Sequence, residues 1–294
     1  MKTSTENLLQ QFKSLADPVR ARLVALCGIA ECSVSELVKV TGQSQPRVSQ
    51  HVKQLCEADL LERFKDGHFV FYRVKTSGNA SATRRRLLAL LPDEEPQFGK
   101  DIQRLRDIRA AADVALAPID AKDRSLHRAL IEISVAGPLG DLLDIGCGQG
   151  RILKLLASRA QRAVGVDINS DARRLARAEL LLAGTPNTTL RQGDMMALPF
   201  EGREFDTIIL DDVLRLATDP VAAITEAKRL LNPGGRLILL ASLSDADAGD
   251  VRQQLSAWAG AAGLRLASPR AIPSKNPGWL LAVATLSDRA TAAA

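Results

Sequence analysis

The chain of 294 residues is 46% hydrophobic and 25% charged, which is ordinary for a folded protein and leaves room for two domains. It has no apolar run of membrane-spanning length and no charged-then-apolar leader, which argues against membrane contact, and we expect a cytoplasmic protein. The net charge of +5 comes from residues 1–91, which hold 14 Lys and Arg against 8 Asp and Glu, and this predicts a polyanionic partner for that segment alone.

The first predicted elements are three helices. Residues 7–30 carry apolar side chains at helical spacing, with a break at Asp17 and Pro18, where the aspartate can cap a second helix and the proline can open it. Ser33 to Val40 makes a third, short helix. Gly42 follows it and suits a tight turn into the next helix.

The fourth predicted helix, residues 44–61, has one buried face and one polar, basic face. Val48, Val52 and Leu55 form the buried stripe, Ser44 is the predicted N-cap, and Pro46 is tolerated in the first turn. Short polar and basic side chains at the start of a helix are the type that reads base edges in the major groove of DNA. The candidate DNA-binding residues of this helix are Ser44, Gln45, Arg47, Gln50 and His51.

Residues 60–74 are predicted to form a β-hairpin after this helix. Asp66-Gly67 is a strong two-residue turn signal between alternating segments. Arg63, Lys65 and His68 flank the turn and are candidate contacts to DNA phosphate. Together with the helices, a basic hairpin predicts a winged helix-turn-helix, mainly α with a β-hairpin wing. The alternative is a helical bundle with a solvated basic face, in which the hairpin signal and the charge excess would be coincidences.

At these residues the first 90 positions resemble the ArsR-type winged-helix repressors. The resemblance is carried by Asp17-Pro18-Val19-Arg20, Ser44-Gln45-Pro46, Val48-Ser49-x-His51 and Gly67-x-x-Val70-x-Tyr72. It implies a homodimer that releases double-stranded operator DNA when an effector binds.

The cysteines argue against a metal sensor. Many ArsR-type proteins bind metal through a pair of cysteines at the start of the third helix, where this chain has Cys32 alone, one position out of register. A lone thiolate cannot hold a thiophilic metal. Cys27 and Cys56 have the apolar neighbours typical of buried structural thiols, and the chain has neither a disulfide framework nor a CxxC pair. We therefore predict no metal site.

A charged, proline-bounded break at Pro92 to Pro96 marks the end of the first predicted domain. Before it, Arg84 to Arg86 either lie on a solvated face or reach DNA, and the leucines of 87–91 are expected to pair across a dimer. After it, a polar helix over 101–117 is either an interdomain lever or a spacer. The predicted limits are 1–91 for the winged-helix domain, 92–124 for a helical linker and 125–294 for the second domain.

The stretch 141–151, DLLDIGCGQGR, organises the second half of the chain. It begins as a buried strand, passes through Gly146, Gly148 and Gly150, and reopens as a helix. This pattern makes a nucleotide cradle, because only glycine lets the backbone come so close to a ligand. A dinucleotide fingerprint would have glycine at 151, which is arginine, whereas Asp144 suits a cation such as the ammonium and sulfonium of S-adenosylmethionine. The alternative is a turn that serves only strand-to-helix packing.

Strands and helices alternate through the second half, which predicts an α/β doubly wound, Rossmann-like domain with a mainly parallel sheet. A helix over 121–135 opens it, and two late strands are expected to close the sheet as a hairpin. The predicted strands are 141–145, 163–166, 189–192, 207–210, 236–240, 264–267 and 279–284.

Acidic residues follow these strands, where ligands bind in such sheets. Asp167 ends the second strand, 17 residues beyond Gly150, and can accept from both ribose hydroxyls. Asp194 follows the third strand and can accept from an adenine amino group. Asp211 and Asp212 follow the fourth strand. A series of acids at successive strand ends favours a ligand site over isolated loop residues.

At these residues the segment 125–286 resembles the class I S-adenosylmethionine-dependent methyltransferases. The resemblance implies that Asp144, Asp167, Asp194 and the glycines bind the cofactor, with Ile168 and Met195 on either side of the adenine. The candidate cofactor-binding residues are Asp144, Gly146, Cys147, Gly148, Gly150, Asp167, Ile168, Asp194, Met195 and Asp211.

The sequence assigns no catalytic residue. The segment 115–124 lacks the aromatic residues that close over the cofactor in related methyltransferases, and Asp212 to Leu216 lacks the histidines that often follow the fourth strand. His127 is the one histidine of this half and is more typical of a surface position than of a general base. Cys147 is the one cysteine, whereas arsenite methylation would require several.

These features predict a dimeric transcriptional repressor whose methyltransferase-like domain binds S-adenosylmethionine or S-adenosylhomocysteine as effector. The whole chain resembles a family of such fusions, which includes S-adenosylhomocysteine-responsive regulators of methionine-cycle genes. One alternative is an active small-molecule methyltransferase that also represses its own operon. Another is a DNA-binding module with a vestigial second domain, which the set of acids disfavours.

Overall fold

The computed structural model describes residues 5–66, 69–75, 81–92, 95–110, 121–243 and 248–286. Its internal contacts divide the chain into two compact units, Met1–Val114 and Ala115–Ala294. Within the ranges described, every helix is too short or too polar to cross a membrane.

The first unit opens with the predicted helices. They are α1 (Thr5–Leu15), α2 (Pro18–Ile29), α3 (Val34–Thr41) and α4 (Gln45–Glu57), with a two-residue strand β1 (Cys32–Ser33) before α3. The Asp17 carboxylate accepts a hydrogen bond of 2.9 Å from the Arg20 amide, so the predicted cap of α2 is confirmed. Helix α3 ends at Gly42, whose φ of 68° places it in the left-handed region.

A three-stranded sheet forms the wing. Strands β2 (Leu61–Asp66) and β3 (Phe69–Val74) pair antiparallel, and β1 pairs with the other edge of β3 through Cys32 and Tyr72. The predicted hairpin is confirmed, but Asp66 is the last residue of β2 rather than a turn residue, because it pairs with Phe69. Gly67 and His68 lie outside the described residues. Strand β1 was not predicted, because two residues carry no readable alternation.

Helix α5 (Ser81–Leu88) packs against the base of the wing. Arg84 is buried and donates to the carboxylate of Asp59 and to the Lys75 carbonyl. Neither sequence alternative therefore holds for Arg84, which is a structural ion-pair residue, while Arg85 and Arg86 are exposed.

Helix α6 (Pro96–Ala110) belongs to the first unit. It packs against α2 and α3, and Asp101 forms an ion pair with Arg22 at 2.6 and 2.8 Å. The helix predicted over 101–117 within a linker thus begins at Pro96, and residues 111–117 lie outside the described part of the chain. The sequence missed this attachment because its key partners are 79 residues apart.

The second unit is built on a mixed sheet with strand order β10-β11-β8-β7-β4-β5-β6, and β9 also pairs with β11. Strands β4 to β8 run parallel and β11 runs antiparallel to β8. The elements are α7 (Ala121–Ala136), β4 (Asp141–Ile145), α8 (Arg151–Leu156), β5 (Arg162–Asp167), α9 (Ser170–Leu182), β6 (Thr188–Gln192), β7 (Phe205–Asp211), α10 (Pro220–Leu230), β8 (Leu231–Ser242), α11 (Ala248–Ala261), β9 (Leu264–Leu266), β10 (Arg270–Ile272) and β11 (Trp279–Leu286).

Helices cover both faces of this sheet. Leu143 and Ile145 of β4 are buried in one apolar cluster and Leu142 in the other, as alternation along a strand requires. The predicted doubly wound fold is therefore confirmed. The late pairing of β9 with β11 is also confirmed, but β11 lies between β8 and the unpredicted strand β10.

Candidate ligand site and nucleic-acid interface

The glycine-rich turn joins β4 to α8 and is held against the neighbouring strand. The amides of Gly146 and Cys147 both donate to the Val166 carbonyl, at 2.7 and 3.0 Å, and the Gly150 amide donates to the Cys147 carbonyl at 2.8 Å. Gly148 and Gly150 have φ values of 52° and 81°, and α8 begins directly after Gly150. The turn therefore lies at the carboxyl end of β4, where its backbone faces the edge of the sheet.

Gly146 has a second reason to be glycine besides its φ of 75°. A Cβ at this position would lie 1.9 Å from Cγ1 of Val213 in the segment after β7. We expect Gly146→Ala to lower the free energy of unfolding by about 2–4 kcal/mol, because the clash adds to the cost of the left-handed backbone. Urea unfolding of the full chain measures this difference.

Gly184 is the matched control, because its φ is 67° and a Cβ there would meet open space. Gly184→Ala should cost about 1 kcal/mol, the backbone term alone. Adding Val213→Ala should recover part of the loss in Gly146→Ala. Equal losses in the two glycine variants would show that Val213 does not constrain the turn.

Asp167, at the end of β5, has both carboxylate oxygens oriented by backbone amides. Oδ2 accepts from Gly148 at 2.8 Å and Oδ1 accepts from Asn169 at 2.8 Å. Its carbonyl accepts from the buried guanidinium of Arg173 at 2.7 Å. Each carboxylate oxygen keeps a further lone pair, so the side chain is fixed in place and can still accept hydrogen bonds from a ligand.

Asp144, on β4, is completely buried, with 0% of its surface exposed. Neither of its carboxylate oxygens has a hydrogen-bond partner among the described residues. Burial raises the pKa of Asp144 well above its usual range, the nearby carboxylate of Asp211 raises it further, and Arg151 partly opposes both effects. A buried acid of this kind favours a positively charged or hydrogen-bond-donating ligand group.

This raised pKa makes stability depend on pH. The folded chain keeps the Asp144 proton at pH values where the unfolded chain, with a pKa of about 3.9, has lost it. The free energy of unfolding therefore falls as pH rises from about 3.9 through the folded-state pKa. Asp144→Asn should remove this pH-dependent contribution, raising the free energy of unfolding near pH 7 and flattening its pH profile. Denaturant unfolding between pH 4 and 8 tests this, with the exposed Asp171→Asn as control; parallel profiles for Asp144→Asn and the unsubstituted chain would contradict it.

Asp211, at the end of β7, is engaged by Arg151 from the start of α8. The Arg151 guanidinium donates to both Asp211 oxygens at 3.1 and 3.3 Å and to Asp123 of α7 at 3.1 Å. It lies 4.8 Å from the centroid of the Trp279 ring, and the Trp279 indole N–H donates to the same Asp123 oxygen at 3.1 Å. Burial raises the pKa of Asp211 although Arg151 opposes this effect. Sequence reasoning noted Arg151 only as a missing glycine and overlooked Asp123 and Trp279, which are 156 positions apart.

The remaining candidate cofactor residues differ in accessibility. Ile168 is 68% exposed directly after β5, an unusual position for a large apolar side chain, and Met195 is half-buried. Asp194 is exposed, and its Oδ1 accepts from the Met196 amide at 2.9 Å. The Cys147 thiol is buried and burial raises its pKa, so this residue offers only its backbone to the turn. The structure thus places Asp144, Asp167, Asp194 and Asp211 at or just beyond the carboxyl ends of four adjacent parallel strands.

The segment after β7 is tied down by ionic contacts. Asp212 has a φ of 55°, and its carboxylate accepts from the Ser242 amide at 2.8 Å and from Arg215 at 3.0 Å.

His127, expected on the surface, is half-buried on α7, and its Nε2 has no partner among the described residues. Burial lowers the pKa of His127, and the charge of Arg151 lowers it further.

Most of the predicted DNA-binding residues are exposed on α4 and β2. On α4, Val48, Val52 and Leu55 are buried as predicted, and the opposite face is open to solvent. Ser44 occupies the predicted N-cap position, without a capping side-chain hydrogen bond among the described residues. His51 is half-buried, and His68 lies outside the described residues. The exposed candidates are Ser44, Gln45, Arg47, Gln50, Arg63 and Lys65.

Comparison with known proteins assigns a domain type to each unit. A family model for a helix-turn-helix domain matches residues 15–63, and one for a methyltransferase domain matches residues 143–239. An uncharacterised 37.1 kDa protein of a Streptomyces fradiae transposon is 35% identical over 127 residues, which are 42% of this chain and 36% of that protein. The ubiquinone/menaquinone biosynthesis C-methyltransferase UbiE of Shewanella frigidimarina is 35% identical over 122 residues, 40% of this chain and 48% of that one. The chain spans less than half the length of either relative.

Among solved structures, an S-adenosylmethionine-dependent methyltransferase from Aquifex aeolicus superimposes with a TM-score of 0.50 at 14% identity. The match covers 62% of this chain and 98% of that one, and at this identity it establishes a shared fold alone. The chain therefore carries a segment that matches a helix-turn-helix domain model in its first unit and one that matches a methyltransferase domain model, with a Rossmann-like fold, in its second.

Proposed function

We propose that this protein is an ArsR-type transcriptional regulator, a homodimer on double-stranded operator DNA, whose methyltransferase domain senses S-adenosylmethionine or S-adenosylhomocysteine. The regulated genes would be those of the methionine cycle. The observation that carries the sensor half is the unpartnered, fully buried carboxyl of Asp144 beside the glycine-rich turn.

The residues at this edge of the sheet suit an S-adenosyl ligand. An ammonium beside Asp144 would favour the charged form of this carboxyl and so lower its raised pKa, and Asp167 is held with free lone pairs for ribose hydroxyls. The exposed Ile168 offers an apolar surface for adenine, with Met195 opposite and Asp194 as acceptor for the amino group. Gly146, Gly148, Gly150 and the backbone of Cys147 complete the set.

The hydrogen-bond partners of the acidic residues near this site favour a sensor over an enzyme. A general base must be placed to take a proton from the methyl acceptor. Asp211 is occupied by Arg151, and Asp212 is occupied by Arg215 and the Ser242 amide. Asp211 and Asp212, at and directly after the end of β7, are therefore engaged in structural contacts.

Helix α1 supports a dimer. Leu9 and Phe12 are 54% and 47% exposed, whereas Gln11 is fully buried with both amide atoms unpartnered among the described residues. An exposed apolar face, such as this one on the first helix of the unit, is typical of a contact surface. We propose that the α1 of a second copy covers it.

Calorimetry with each S-adenosyl form, followed by mobility-shift titration of a promoter duplex from its own gene, tests the proposal. We expect saturable binding and a ligand-dependent change in operator affinity of about 5- to 150-fold, the usual range of allosteric coupling. Absence of binding by both forms, or identical operator affinity with and without ligand, would refute the sensor.

The second candidate is an active small-molecule methyltransferase that also represses its own operon. It is favoured by the 35% identity to a quinone methyltransferase over 122 residues. Incubation with methyl-labelled S-adenosylmethionine and cell extract separates the two. We expect no transfer of label, and a labelled small-molecule product would favour this candidate.

A further inference from the structure

Helix α6 contacts both ends of α3, the helix that precedes the DNA-reading helix α4. At the first turn of α3, the Arg109 guanidinium donates to Glu36 Oε1 at 2.8 Å and to the Glu31 carbonyl at 2.7 Å. At the last turn, Arg104 donates to the Val40 carbonyl at 3.3 Å. Helix α3 is therefore held by α6 along its whole length.

The contact at the first turn is buried and shared with the cap of α3. Arg109 is only 5% exposed. Glu36 Oε2 accepts from the amide and hydroxyl of Ser33 at 2.7 and 2.8 Å, while Oε1 faces Arg109. Burial alone would raise the pKa of Glu36, but Arg109 and Ser33 outweigh it and lower that pKa, so the carboxylate is charged. One carboxylate thus fixes both the start of α3 and its attachment to α6.

The same helix is also anchored to α2. Asp101 is buried and accepts from Arg22 at 2.6 and 2.8 Å and from Gln97 at 2.9 Å. Leu105 is buried one turn later. These contacts make α6 a rigid part of the helix-turn-helix unit.

We propose that α6 is the element that carries ligand occupancy from the methyltransferase domain to the DNA-reading helix, with Arg109 as the positioning residue. This inference rests on the proposed function. Residues 111–120 separate the end of α6 from α7, and Asp123 in the first turn of α7 is bonded to Arg151 beside Asp211. A ligand that rearranges Arg151 changes the contacts of α7, which is the helix that follows α6 along the chain. Helix α4 follows α3 after Gly42 to Ser44, so a small shift of α3 re-aims α4.

The double variant Arg109→Met with Glu36→Gln tests this path. Removing both partners leaves no buried unpaired charge, and glutamine at position 36 retains the capping-box pattern with Ser33. S-adenosylhomocysteine affinity, measured by calorimetry, should equal that of the unsubstituted chain. The ligand-induced change in operator affinity should fall from its unsubstituted value to about twofold or less. Gln103→Ala is the control, because Gln103 is exposed on the same helix and its side chain donates a hydrogen bond to Asp107.

A full ligand effect in the double variant would overturn the inference while leaving the proposed sensor intact. If the unsubstituted chain shows no ligand effect, the proposed function fails first, which is a distinct result. Hydrogen exchange on the unsubstituted protein gives a test independent of folding in the variant. S-adenosylhomocysteine should change amide protection in both 96–110 and 34–41, and unchanged exchange in these helices alongside a change in 141–151 would also overturn it.

Discussion

Asp167→Ala is expected to lower the affinity for S-adenosylhomocysteine by about 100-fold or more. Under the proposed assignment, its carboxylate accepts from two ribose hydroxyls, and each charge-assisted hydrogen bond contributes about 1.5–3 kcal/mol. The side chain is held by the amides of Gly148 and Asn169, so little entropy is lost when ribose binds. Calorimetry on the full chain measures the change in Kd.

Asp171→Ala is the control for this variant. Asp171 lies in the first turn of α9, only four positions away, but its side chain is 81% exposed and its ion pair with Arg174 is 4.0 Å long. It should leave the Kd unchanged. Because Asp167 also orients the turn, unfolding by urea should accompany the measurement. Unchanged ligand affinity in Asp167→Ala would show that the ribose assignment is wrong.

Arg47→Ala is expected to weaken operator binding by about 30-fold or more. Arg47 is exposed near the start of α4, and each contact of this type contributes about 1–3 kcal/mol. In a dimer both reading helices lose it. Because Arg47 is exposed, the free energy of unfolding should be unaffected. Mobility-shift titration at low salt measures the loss.

Arg252→Ala is the charge-matched control. Arg252 is exposed on α11 of the methyltransferase domain, and its removal changes the net charge by the same amount. We expect operator affinity to change less than about twofold. Equal affinity in Arg47→Ala and the unsubstituted chain would exclude this face of α4 as the DNA reader.

The fold was largely predictable because its elements carry local patterns. The cap at Asp17, the apolar stripe of α4 and the alternation along β4 each arise within a few residues, where periodicity and turn chemistry act. The grouping of acidic residues at the edge of the sheet could be predicted for a similar reason. Parallel strands end at one edge, so the acids that follow them in sequence lie close in space.

The parts that could not be predicted depend on pairs distant in sequence. Arg151 contacts Trp279 and Asp123 only in the folded domain. The identity of these residues does not indicate in the sequence that they are partners. The attachment of α6 to α3 could not be predicted for the same reason, since Arg109 and Glu36 are 73 positions apart. A polar, arginine-rich helix is also a pattern that predicts a solvated linker.

Strand β1 links the wing to α3. Its Cys32 pairs with Tyr72 of β3, its Ser33 caps α3, and the preceding Glu31 forms an ion pair with Arg73 of the wing at 3.2 Å. Any tilt of α3 must therefore move the hairpin as well as α4. The helix proposed to read the bases and the hairpin proposed to contact the phosphates would then leave the duplex together. The two ligand states should then differ in how steeply operator affinity falls with added salt, by about 0.9 in the logarithmic slope for each phosphate contact released.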